Sequence, residues 1–323
     1  MIAREPRPQF FDVPRPRLLL VASTGGHLSQ LVRLAEREQV SDDSVWLTFD
    51  SPQSRALLAD RSVLWTDYVA PRDARGTLRA YRKLSKSLDP RHFAGAISTG
   101  AAVAVAGLGW AKRHGLPTVY VESVSRTDGP SLSGRIVRKL GIARTYTQHS
   151  SWASRDWSPT RSVLQDVRRE RADVDLNLES PLKILVTLGT IRPYRFDALV
   201  DRVKQITMPG DNIVWQLGET TRDDLPGAVH NLIPADELLQ HALNADAVIT
   251  HSGVGTILQM LDHEISPVVV PRRMERGEHV DDHQTQIWNL LRDSEIAHPV
   301  EVESLTRETL ITAASSRTVG CPQ

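Results

Sequence analysis

Several short constellations in this sequence combine residue types that do chemistry at a usable spacing. The first is Ser23-Thr24-Gly25-Gly26-His27. Two glycines allow a tight turn and close approach of the backbone to a ligand. Unpaired amides at a helix start attract an anion. A histidine there meets the positive end of the helix dipole, which favours its neutral form. A neutral imidazole can serve as general base toward a hydroxyl. The plainer reading is a turn that starts a helix, and a Gly-Gly turn alone does not separate the two.

The second is Thr250-His251-Ser252-Gly253-Val254-Gly255-Thr256. Amides from Gly253 to Thr256 at a helix start can hold a diphosphate, with the Ser252 and Thr256 hydroxyls as further donors. The dinucleotide fingerprint G-x-G-x-x-G is broken by Leu258, which counts against a nicotinamide enzyme. The third is Gly277-Glu278-His279-Val280-Asp281-Asp282-His283-Gln284. Its carboxylates and amides suit vicinal sugar hydroxyls. His279 and His283 have a metal-ligand spacing, but the glutamate of the HExxH pattern and a third ligand are missing, so no metal is expected. The fourth is Tyr120-Val121-Glu122-Ser123-Val124-Ser125-Arg126. Glu122 there is either a second candidate base or a cap on the next turn.

The fifth is basic. Arg72, Arg75, Arg79, Arg82, Lys83 and Lys86 recur at helical spacing, with Leu78, Tyr81 and Leu84 between them. Such a helix either lies on an anionic membrane or is a solvated face. Arg135, Arg138 and Lys139 extend the basic set. Asp173-Val174-Asp175 is a DxD string, but it sits in a polar stretch away from any strand end and reads as linker.

These segments need elements to position them. RLLLVAS (17–23) is an apolar run broken by glycines and followed by leucines at helical spacing. Strand and helix then alternate to about residue 155. The pattern restarts at LKILVTLG (182–189) and runs to a last helix near 304–314. Alternation of this kind implies right-handed βαβ units and parallel sheets covered on both faces. The expected organisation is a mobile Pro/Arg-rich leader (1–16), a doubly wound domain (17–155), a charged linker (156–181) and a second doubly wound domain (182–323). In such sheets ligands bind beyond the carboxyl ends of the strands. All the candidate loops except the basic helix follow a strand, which predicts a central cleft faced by both domains.

Bulk properties agree. With 323 residues, 40% hydrophobic and 24% charged, the chain can bury two cores. Net charge is +0, so nothing attracts the whole chain to nucleic acid. A single cysteine, Cys321, excludes a disulfide framework and fits a reducing compartment. No apolar run approaches the roughly 18 residues of a membrane span.

The ordered segments LKILVTLGT, THSGVGTILQML and GEHVDDHQ resemble the nucleotide-sugar-binding domain of GT-B transferases related to the lipid-II-forming GlcNAc transferase. ASTGGHLSQL and YVESVSRTDGPSLSGRIVRKLG resemble the partner subunit of the dolichol-linked GlcNAc transferase and its bacterial capsule and exopolysaccharide counterparts. The chain looks like a fusion of halves that are often separate subunits. The resemblance implies an α/β GT-B fold of two Rossmann-like domains. It also implies an inverting, metal-independent transfer from a UDP-sugar to a lipid-linked acceptor, without a cofactor. Gly189, Thr190, His251, Ser252, Gly253, Gly255 and Thr256 would bind the donor around its diphosphate, Gln259 its ribose, and Asp282 and Gln284 its sugar. Thr24, Gly25 and Gly26 would form a phosphate or acceptor loop beside His27. Arg75, Arg79, Arg82, Lys83 and Lys86 would dock on an anionic membrane. The expected location is cytoplasmic, extending to the inner face of the membrane. Two departures stand out: the family often carries Glu where this chain has Gln259, and the partner subunit has a membrane anchor where this chain has its leader. Two rivals share the architecture. One is a UDP-GlcNAc 2-epimerase; the other is a non-catalytic nucleotide-sugar-binding protein.

Overall fold

The fold was described from a computed structural model of the chain. It describes residues 10–70, 72–174, 176–189, 193–279 and 283–320, and for residue 283 only the backbone. Two compact units divide at residue 163, Met1–Val163 and Leu164–Gln323.

Unit 1 holds strands β1 (Leu18–Val21), β2 (Val45–Phe49), β3 (Ser62–Thr66), β4 (Gly95–Ser98), β5 (Thr118–Val121), β6 (Arg144–Thr147) and β7 (Ser158–Pro159). Between them run α1 (Gly26–Arg37), α2 (Pro52–Leu57), α3 (Ala74–Ser87), α4 (Ala102–Arg113) and α5 (Leu132–Lys139). All strand pairs are parallel, in the order β3-β2-β1-β4-β5-β6-β7. The four residues of β1 are fully buried, which is why they read as a continuous apolar run rather than an alternating one. Leu28, Leu31 and Leu34 close α1 over the sheet, each removed from water and each contributing about 1.5–3 kcal/mol of transfer free energy.

Unit 2 holds β8 (Val167–Arg171), β9 (Lys183–Thr187), β10 (Asn212–Gln216), β11 (Ala228–His230), β12 (Ala247–His251), β13 (Val268–Val270), β14 (His298–Pro299) and β15 (Ser316–Gly320). Its helices are α6 (Asp197–Ile206), α7 (Ala235–Asn244), α8 (Val254–Asp262), α9 (His283–Ser294) and α10 (Arg307–Ala314). Six strands form a second parallel sheet, β11-β10-β9-β12-β13-β14, while β8 and β15 pair antiparallel. In each main sheet the chain starts in the middle, winds one way, then returns to wind the other. The reversal points are β1/β4, with Leu20 opposite Ile97, and β9/β12, with Val186 opposite Ile249.

Two boundary expectations meet a different arrangement. Residues 10–16, placed in the leader, begin with Phe10 and Phe11, both buried. Phe10 packs edge-on against Tyr146 and its N–H donates to Glu38 Oε2 at 3.1 Å. Two aromatic rings outweigh the extending effect of the nearby prolines. The expected linker, 156–181, contributes β7 to unit 1 and β8 to unit 2. Its charges mislead because β8 is a strand whose arginines lie at the surface or half-buried, with Arg169 donating to the Ala297 carbonyl at 3.0 Å.

Candidate functional site

In unit 1 the reversal point brings together the loops after β1 and β4. The first is the glycine loop, where α1 starts at Gly26 with Gly25 as its cap. Ser23 to His27 are all half-buried. The Gly25 N–H donates to Gln53 Oε1 at 2.8 Å, so one loop amide is already used. His27 Nδ1 lies 2.8 Å from the Thr99 carbonyl oxygen, and Thr99 Oγ1 donates back to the His27 carbonyl at 2.6 Å. A carbonyl only accepts, so Nδ1 carries the proton and, in the neutral ring, Nε2 is the basic nitrogen.

Gly100 makes room for that ring. A Cβ there would lie 2.8 Å from His27 Cε1 and 3.2 Å from the Tyr120 hydroxyl, and its φ is +127°. The next residue, Ala101, caps α4 at φ 65°, ψ 176°, a region that is essentially glycine-only and costs about 1–3 kcal/mol for another residue. Neither Thr99 nor Gly100 was singled out in the sequence. The available signal was the Ser-Thr-Gly string after a strand, the same string that opens the first glycine loop.

Glu122, the second candidate base, is fully buried. It accepts from the Ser131 N–H (2.8 Å), the Ser131 hydroxyl (3.0 Å), the Ser123 N–H (3.1 Å) and the Tyr120 hydroxyl (3.4 Å). Burial pushes its carboxyl up. Its oxygens brace the turn that leads into α5, whose own cap is Ser131. Beside it, Gln30 Nε2 donates to the Gly26 carbonyl and to Ser123 Oγ (both 3.0 Å), and its Oε1 accepts from the Val124 N–H and Gln148 Nε2 (2.8 and 3.0 Å). One buried glutamine thereby ties the glycine loop to the loops after β5 and β6.

In unit 2 the loops after β9 and β12 meet in the same way. α8 starts at Val254 with Gly253 as cap and no side-chain cap. Its first-turn amides, through Gly255 and Thr256, therefore have no acceptor within the helix. Ser252 is 2% exposed and its Oγ has no partner among the described residues. His251 fills the gap between two glycine backbones. A Cβ on Gly189 or Gly253 would lie 2.5 or 2.4 Å from its Nε2. Burial, then the charge of Arg272, push the imidazole down to about 3, so it is neutral at ordinary pH. A neutral wedge beneath uncapped amides adds no charge of its own to the field of the helix start.

The remaining candidates fall as follows. Gly255, Thr256 and Gln259 are half-buried on α8. Gln284 is buried on α9 and its Oε1 accepts from the Arg272 N–H at 3.2 Å. His279 stacks on Tyr194, with ring centroids 5.8 Å apart. Thr190 and Asp282 lie outside the described residues. Arg272, just past β13, is completely buried. Apolar neighbours in PVVVP gave no sign of that, because burial here depends on carbonyls from a distant loop. The basic helix is α3, which buries Gly76, Ala80 and Leu84 and exposes Arg75, Arg79, Arg82, Lys83 and Lys86. Arg79 lies 3.9 Å from Asp73 and 4.0 Å from Asp67. No helix among the described residues is long and apolar enough to cross a membrane.

Residues 184–314 match the glycosyltransferase family 28 C-terminal domain, and the segments THSGVGTILQML and GEHVDDHQ lie inside the match. MurG of Acinetobacter baumannii is 18% identical, over 91% of this chain and 88% of that one, with a TM-score of 0.51. The glycosyltransferase SnogD of Streptomyces nogalater is 18% identical, over 93% and 92%, with a TM-score of 0.52. A putative UDP-N-acetylglucosamine 2-epimerase of Listeria monocytogenes is 12% identical, over 92% and 90%, with a TM-score of 0.51. No curated protein matches the sequence. Identities this low speak for the fold, and the matched domain speaks for the chemistry. Residues 184–314 thus match a glycosyltransferase family 28 C-terminal domain, the chain has the GT-B fold, and the two together support a glycosyltransferase.

Proposed function

We propose that this protein is an inverting, metal-independent transferase that moves a sugar from a UDP-sugar to a polyprenyl-diphosphate-linked glycan in cell-surface polysaccharide synthesis. The observation that carries the donor assignment is the start of α8. Its uncapped amides and the buried Ser252 Oγ, without a partner among the described residues, offer donors of the kind a diphosphate needs. Gly189, Thr190, Gly253, Gly255 and Thr256 complete the diphosphate set. Gln259 takes the ribose, and Asp282 and Gln284 take the donor sugar.

His27 is the base. With Nδ1 committed to Thr99, Nε2 takes the proton of the acceptor hydroxyl as its oxygen bonds to the anomeric carbon. The bond from that carbon to the β-phosphate oxygen breaks on the opposite side, and its electron pair leaves with UDP. Glu122 is the weaker candidate because its oxygens are engaged by Ser123 and Ser131 and are shut off from solvent.

Acceptor docking is peripheral, on the cytoplasmic face of a membrane. Support comes from two exposed helix faces. α3 presents five cations around Leu78, and α5 presents Leu132, Ile136 and Leu140, spaced four apart, beside Arg135, Arg138 and Lys139. Apolar stripes edged by cations suit an anionic bilayer.

The test is UDP release from a panel of UDP-sugars, with and without lipid-linked acceptors and with EDTA. Acceptor-dependent, EDTA-resistant release from one donor is expected. Release of UDP-ManNAc from UDP-GlcNAc alone would replace this reading with the epimerase, whose fold is shared. UDP binding without release from any donor and acceptor pair would favour a binding protein.

A further inference from the structure

Arg272 combines complete burial with a charge that no ion pair among the described residues of unit 2 cancels. The residue lies just past β13 and is 0% exposed. Its terminal nitrogens donate to the Tyr194 and Gly189 carbonyls, both at 3.2 Å. Its guanidinium carbon sits 5.5 Å from the Phe196 ring centroid. Its Nε is buried with no acceptor among the described residues. Two carbonyls and a ring face soften the burial of a cation without neutralising it.

The carboxylate whose charge Arg272 feels is engaged elsewhere. Glu278 Oε2 accepts from the Arg273 N–H at 2.9 Å, and the carboxyl acts on Arg272 only at longer range. Arg273 itself pairs with Glu301. Among the described residues no carboxylate oxygen comes within ion-pair distance of Arg272. An apolar side chain of similar volume would fill this place at lower cost. Retaining a bare guanidinium makes sense where an anion arrives later.

The surroundings say where. The carbonyl that Arg272 holds belongs to Gly189, and Gly189 is packed against the His251 ring, one residue before Ser252. Three buried polar atoms here have no hydrogen-bond partner among the described residues: Arg272 Nε, His251 Nδ1 and Ser252 Oγ. All three lie on the strand ends of β12 and β13, neighbours in the sheet.

We infer that Arg272 is a positioning residue for the donor, holding the Gly189 turn in place and supplying the fixed positive charge against which the leaving nucleoside diphosphate gains its extra negative charge. The inference rests on the donor site proposed at the start of α8. Cleavage of the sugar–phosphate bond leaves one more negative charge on the diphosphate than the intact donor carried. A cation fixed in a dry interior stabilises that charge without reorganising, and it does so without touching the ligand. Its contribution is therefore larger for the leaving group than for the nucleoside.

Arg272→Met keeps bulk and removes charge, and Arg272→Lys keeps charge and removes the two-pronged contact. Thermal melts establish that each variant is folded. Calorimetric titration then compares UDP with uridine, and steady-state kinetics on the active donor separates kcat from KM. Arg272→Met is expected to lose about tenfold or more in UDP affinity with uridine affinity changed less than about twofold, and to lose more in kcat than in donor KM. Arg272→Lys is expected to hold the UDP-over-uridine preference within about threefold of wild type. A folded Arg272→Met with that preference unmoved overturns the inference alone. If Arg272→Met does not fold, Arg272→Lys decides, and loss of the preference there overturns it. A wild type that binds no UDP removes the donor site and the inference together.

Discussion

His27 Nδ1 and the Thr99 carbonyl oxygen stand 2.8 Å apart although 72 residues separate them in the chain. The Thr99 hydroxyl answers with a bond to the His27 carbonyl, so the two residues clamp each other across the β1/β4 reversal. The clamp fixes both the tautomer and the tilt of the ring, which is what a base needs. His27→Asn is expected to lower kcat by about 10²–10⁴-fold while leaving UDP affinity within about twofold. Single-turnover kinetics beside UDP titration checks it. Near-normal turnover in a folded variant would remove His27 from the mechanism.

Ala101 carries the conformational cost of this arrangement. At φ 65°, ψ 176°, its Cβ is held where glycine belongs. Ala101→Gly is expected to raise the melting temperature by about 2–4 °C, equivalent to about 1 kcal/mol, because relieved strain exceeds the added unfolded-state entropy. Differential scanning calorimetry reads this directly. A lower melting temperature would mean that the backbone there is not strained.

Glu122→Gln separates a brace from a base. The amide keeps the shape but points N–H groups at donors from Ser123 and Ser131. A loss of about 2 kcal/mol in stability is expected. Turnover per folded molecule is expected to stay within about threefold of wild type, since catalytic bases cost far more when removed. Chemical denaturation and kinetics on the same sample distinguish the two roles.

Gly253→Ala tests the wedge in unit 2. The new methyl would sit 2.4 Å from His251 Nε2, so the ring or the helix start has to move. A loss of about 1–3 kcal/mol in stability is expected from overpacking. UDP affinity is expected to fall about tenfold or more, because helix-start amides displaced from their aim lose the anion. Unchanged UDP binding would place the diphosphate elsewhere.

His298 predicts a pH dependence. Burial, with the Arg169 charge second, holds its imidazole down at about 4. In the unfolded chain the same group titrates near about 6.5. The unfolded state thus binds the extra proton between these values. Stability is full above about pH 6.5 and falls as pH drops toward about 4. The buried carboxyls Glu122 and Glu278 are pushed up and run in the opposite sense, so the readout is a difference between proteins. Between pH 7 and 4.5, wild type is expected to lose on the order of 2 kcal/mol more than His298→Gln. Parallel curves for the two proteins would show that the ring is already charged when folded.

The two sheets were legible because their strands are buried on both faces. RLLLVAS and LKILVTLG announce themselves as unbroken apolar runs, and the glycines behind them mark the turns. β8 and β15 were not legible. Their arginines and threonine carry no two-residue apolar rhythm, and each becomes a strand only by finding the other. Residues with chemistry in their side chains stood out as candidates: His27, Ser252, Gln284. Residues that matter through their backbones were not. Thr99 acts through a carbonyl and Gly100 through a missing Cβ. Gln30 was missed for another reason: three of its four side-chain bonds reach loops distant in sequence. The burial of Arg272 was not legible because its partners are carbonyls, and no residue type advertises a carbonyl.

The antiparallel pair of β8 and β15 has a consequence for synthesis. Val167 faces Gly320 and Arg171 faces Ser316, so the first strand of unit 2 to leave the ribosome pairs with a strand made about 150 residues later. Unit 1 has no such debt to later sequence in its sheet, and its strands close among themselves by Pro159. The nascent chain therefore completes the sheet of unit 1 while unit 2 still waits for a clasp, and protease sensitivity during translation is expected to concentrate between residues 164 and 316.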